Sequence, residues 1–145
     1  MREQRAIESL AGLIRVRQAE IDRATSDLAR QELERQRHVH NLNALRCLRE
    51  SAIGTPDVSQ PLVAQNRQRY QETLSSVIVL HRDALRVHEE NMQVNRQLRA
   101  AQMIRCDVWR HELAKREAAL TIARVRAEQH AQDELAIQAW RQAPI

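Results

Sequence analysis

One short segment holds almost all the punctuation this chain has. Gly54-Thr55-Pro56-Asp57-Val58-Ser59-Gln60-Pro61 contains one of two glycines and two of three prolines in 145 residues. Proline removes a backbone donor and turns the preceding residue away from helix. A first helix should therefore run from about residue 2 to about Ile53. A loop should occupy about 54–61, and a second helix should run from about Leu62 to Gln142. Proline is tolerated in the first turn of that second helix. Gly12 should weaken the first helix by about 1 kcal/mol relative to alanine without ending it.

The apolar spacing says how two such helices would pack. Ile7, Ile14, Ile21 and Leu28 recur every seventh residue, with Leu10 and Ala24 between them. Arg35 and His38 interrupt the repeat, and Leu42 and Leu45 resume it. This is a coiled-coil seam with polar faults. In the second segment Val63, Tyr70, Leu74, Val77, His81, Ala84 and His88 keep three-four or seven spacing. Leu74, Ile78, Leu85 and Met92 run beside them, and Trp109, Leu113, Leu120 and Ala123 form a narrower stripe further on. With no phenylalanine, one tyrosine and 2% aromatic residues, a densely packed globular core is excluded. The predicted fold is all-α: one unit, a long antiparallel two-helix coiled-coil hairpin with unequal helices. A reversal at the middle of the loop would set residue i against about residue 115 − i. Everything from about Ala114 onward would then overhang. Cys106 would face about Ser9, and some 57 Å would separate it from Cys47, so no disulfide is expected.

Within the second segment Val77-Ile78-Val79-Leu80 is apolar without a break. Helical neighbours are about 100° apart, so at least two of the four should face away from the first helix. An uncovered apolar patch of this kind marks a partner site. The alternative is extra packing inside a thicker bundle or a dimer.

Several function classes fall away. The 23 basic and 19 acidic residues are interleaved, and stacking aromatics are few. That is a solvated surface rather than a nucleic-acid interface. No stretch approaches the ~20 apolar residues of a membrane span. Glu8 and Arg15 interrupt what could be a secretory signal. Two distant glycines make no phosphate loop. His38 and His40 diverge on a helix, and His81 and His88 lie about 10 Å apart along one. His111-Glu112-Leu113-Ala114-Lys115 has lysine where a zinc protease needs its second histidine. The expectation is a cytoplasmic protein that is not an enzyme and has no cofactor and no metal.

The segment Tyr70-Gln71-Glu72-Thr73-Leu74-Ser75-Ser76-Val77-Ile78-Val79-Leu80-His81-Arg82 resembles the start of the second helix in the FliJ/YscO family. Its members are small coiled-coil stalk proteins of bacterial type III export. Gly54 in the loop also fits, as does Gln129-His130-Ala131-Gln132-Asp133-Glu134-Leu135-Ala136, similar to the family's Gln-x-x-x-Asp-Glu-x-Ala ending. The resemblance implies a non-enzymatic central stalk or adaptor. The end with both termini would enter a hexameric export ATPase. The stalk would join that ATPase to the cytoplasmic domain of the membrane export gate and handle export chaperones. The setting would be the cytoplasmic face of the inner-membrane export apparatus. The gate contact would map onto Tyr70, Leu74, Val77 and His81. Tyr stands here where the family has Phe, and Val where it has Ala, so flagellar and injectisome membership both stay open. The other reading is a structural coiled-coil scaffold or homodimer with no ATPase partner.

Overall fold

A computed structural model describes residues 2–54 and 60–142. The chain is all-α, and two long helices pack on each other: α1, Arg2–Ser51, and α2, Pro61–Gln142. Thr55–Ser59, the middle of the expected loop, lie outside the described residues. α1 runs through Gly12 and stops two residues before the expected Ile53. Its last turn tightens: Ala52 N–H still reaches the Leu48 carbonyl (3.1 Å), but Ile53 N–H bonds Glu50 (3.1 Å). No described glycine has a positive φ, so α1 does not end in a left-handed cap. Side chains from α2 take carbonyls just past the end of α1 instead. Gln71 donates to Ala52 (3.0 Å) and Arg67 to Gly54 (2.9 Å). At the start of α2, Pro61 needs no N–H partner, and the Gln60 carbonyl accepts from Val63 and Ala64.

The chain divides into two compact units, Met1–Ile21 with Ala101–Ile145, and Asp22–Ala100. In the first, Ile14, Ile21 and Cys106 form the buried core, with Leu10, Trp109 and Leu113 against it. The Arg17 guanidinium lies over Trp109, 6.0 Å from the ring centre. Arg110 donates to Gln18, and Arg124 donates to Gln4 at 3.1 Å. In the second unit Leu28, Leu42, Leu74, Ile78 and Met92 are buried. The faults at Arg35 and His38 are filled by polar partners. Arg35 donates to the Glu32 carboxylate at 2.9–3.1 Å and approaches Glu89 at 3.6 Å. His38 packs on the His88 ring, centroids 5.6 Å apart. His88 Nε2–H donates to the Gln31 carbonyl (2.8 Å), and Asn95 donates to the Gln31 side chain (3.2 Å). On α2 the packed stripe is Ile78, Leu85, Met92, Arg99 and Cys106, every seventh residue and buried or half-buried throughout.

The register differs from the expected one. Gln18 meets Arg110 and Thr25 meets Arg99, where 115 − i gave about 97 and about 90. Cys106 accordingly packs on Ile14 and Ile21 rather than near Ser9. The reason lies at the capping contacts. Arg67 and Gln71, well inside α2, sit at the end of α1, while residues 61–66 are exposed and precede the packed part. The expected overhang moves with the register. Leu113, Arg116 and Leu120 remain half-buried, and only residues 121–142 are exposed throughout.

Two measurements probe this packing. An added Cβ at Gly12 meets nothing within 4 Å. Gly12→Ala should therefore stabilise the chain by about 0.5–1 kcal/mol in urea melts, since glycine loses more backbone entropy in a helix. Both cysteines are free, Cys47 exposed and Cys106 buried. Without reductant, Cys47 should react rapidly with a thiol reagent in the native protein, and Cys106 only after unfolding.

Candidate partner-binding site

The four residues singled out in sequence all lie on α2 within the Asp22–Ala100 unit. Their 4-3-4 spacing places them on one side of the helix. The fold divides them. Leu74 is 7% exposed and belongs to the core. Val77 and His81 are half-buried, and Tyr70 is exposed. His81 sits beside Asn41, Ala44, Leu45 and Leu48 of α1 in a shallow groove. The same spacing thus serves an internal seam at Leu74 and an accessible surface at Tyr70. Of Val77-Ile78-Val79-Leu80, Ile78 is buried while Val79 and Leu80 are 53% and 68% exposed. Two of the four do face away from α1. Leu80 was not among the four site positions, although its membership of the unbroken run was the available signal.

The ion pairs of the Asp22–Ala100 unit lie further along the helices, around Glu32, Arg35, Glu89 and Arg96. Arg35 hydrogen-bonds Glu32 and holds its carboxyl below the ordinary value, against a smaller opposing effect of burial. Arg35 is raised in turn, first by that hydrogen bond and then by the Glu32 charge. Arg96 adds a 3.6 Å approach to Glu32. In the other unit Arg116 does the same to Glu112 at 2.8 Å. These pairs are well solvated and fix local geometry more than they stabilise. Among the described residues no group of three or more His, Cys, Asp or Glu is placed to hold a metal ion. Among them, too, no helix is long and apolar enough to cross a membrane.

What the surface near Tyr70 offers is shape and apolar area rather than reactive groups. Tyr70 and Leu80 can supply contact area to a protein partner, whereas Val79, nine residues on from Tyr70, faces the other side of α2. No protein-family model matches the chain, and no curated protein and no solved structure matches it.

Proposed function

We propose that this chain is the non-enzymatic central stalk or adaptor of a type III export ATPase, built as an antiparallel two-helix coiled-coil hairpin. Within each unit, contacts pair falling α1 numbers with rising α2 numbers: Gln31 with Asn95 and Thr25 with Arg99, then Gln18 with Arg110 and Gln4 with Arg124. That is the order a hairpin requires. The observation that carries the functional reading is the uncovered Val79-Leu80 step on a helix whose other face is already packed. It falls in the segment whose sequence resembles the gate-contacting region of the FliJ/YscO family. Tyr70 would be the main anchor on the gate's cytoplasmic domain, with Val77 and His81 at its edge. Leu74 would hold α2 in place behind them. Residues 121–142 would enter the ATPase and export chaperones would be further partners, all at the cytoplasmic face of the inner membrane.

The test is direct. The purified chain is added to a hexameric export ATPase, and phosphate release is followed with and without it. Stimulation is expected, and Tyr70→Ala should weaken capture of the gate's cytoplasmic domain by about 1–2 kcal/mol with helicity unchanged. A chain that neither stimulates nor binds the gate, and that self-associates in sedimentation, is the structural scaffold instead.

A further inference from the structure

α2 carries a second three-four repeat that α1 does not cover. Leu80, Ala84, Val87, Asn91, Val94 and Leu98 are spaced 4-3-4-3-4. The apolar members are open: Leu80 68%, Val87 47%, Val94 52% and Leu98 59% exposed, with Ala84 and Asn91 exposed as well. On heptad geometry this stripe lies about 100° round the helix from the Ile78–Met92 seam. A helix docked there would therefore lie beside α1 without displacing it. Its middle opens onto a groove lined by Ala84, Val87 and Asn91, by His38 of α1, and by Asp83 and His88. Seven-residue recurrence of Leu80, Val87 and Val94 is how a helix presents itself to another helix. Asn91 at a single seam position is the polar residue that fixes register in such a pairing.

The charges choose the occupant. The outer edge of the stripe carries Asp83 and Glu90, and its inner edge carries His81, His88 and Asn95. Of the arginines in this stretch, Arg82 lies on the opposite side of the helix from Leu80, and the others are engaged elsewhere. Arg96 and Arg99 reach Glu32 and Thr25 of α1, and Arg86 pairs with Glu90 at 2.8 Å. Asp83 has no ion pair among the described residues. A second copy fits poorly. Docked antiparallel, it would set the Asp83–Glu90 edge against the same acidic edge. Docked parallel, it would set Asp83 against His88, whose Nε2–H is already given to Gln31. We propose that the Leu80–Leu98 face of α2 is a docking site for an amphipathic α-helix of another protein. That helix would carry its own apolar three-four repeat and arginine or lysine beside it, one of them opposite Asp83. The face shares Leu80 with the uncovered step of the proposed gate contact and continues the Tyr70–Val77 line in seven-residue steps through Ala84, Asn91 and Leu98, but peptide binding to it is read without the ATPase.

The test uses the full chain and two labelled synthetic peptides of about four heptads. Both carry the same Leu/Val core with one central Asn; one has Arg at the flanking positions and the other has Glu. In fluorescence anisotropy the Arg-flanked peptide should bind and the Glu-flanked one should be weaker by at least about tenfold. Asp83→Asn should cost the Arg-flanked peptide about fivefold to tenfold. Val87→Glu and, independently, Leu80→Glu should abolish binding while circular dichroism and melting stay unchanged, because both positions are already solvated. Equal binding of the two peptides would overturn the proposal, as would failure of the Arg-flanked peptide to bind. So would a dimer of the chain in sedimentation that Val87→Glu dissociates, since the face would then belong to a second copy.

Discussion

Ile78→Ala should destabilise the chain by about 2–5 kcal/mol in urea melts, because the methyl groups it deletes are packed on all sides. Ile78 is 2% exposed, in a unit whose buried apolar residues are few. Whole-domain stabilities are only about 5–15 kcal/mol, so one such cavity removes a large share. Leu74→Ala should behave in the same way, as a folding defect and not as a selective loss of gate binding. Val79→Ala, one residue from Ile78, should stay within about 0.5 kcal/mol because its side chain is largely solvated. A melt in which Ile78→Ala and Val79→Ala cost the same would contradict the placement of this run.

Deleting everything after Leu120 should abolish ATPase stimulation while leaving the melting midpoint and gate binding unchanged. Every residue from 121 to 142 is exposed, and neither unpacked helix nor a solvated side-chain hydrogen bond such as Arg124 to Gln4 adds much stability. An ATPase cavity around this segment would supply the contacts it lacks, and its spread arginines could meet acidic pore loops without a fixed register. The cut belongs at 121 and not at 115. A chain ending at Ala114 would also lose Arg116 and Leu120, which are half-buried, so a folding effect would mix with the functional one. Full stimulation by the chain ending at Leu120 would remove the tail from the mechanism.

Two long helices, their breaker segment and the seven-residue seam of α1 were legible from sequence. Those features are local: a proline-glycine cluster ends helices whatever surrounds it, and Ile7, Ile14, Ile21, Leu28 and Leu42 repeat on one stripe of any helix. That at least two of Val77-Ile78-Val79-Leu80 would be uncovered was equally legible, since four consecutive residues cannot all face one neighbour, but which two was not. Register was not. It depends on how far α2 has advanced when its side chains reach the carbonyls of Ala52 and Gly54, a contact between residues 13 and 19 apart in sequence. For the same reason sequence could not divide Tyr70, Leu74, Val77 and His81. A three-four spacing describes an internal seam and an external docking stripe equally well, and only the position of α1 decided that Leu74 is core while Tyr70 is surface.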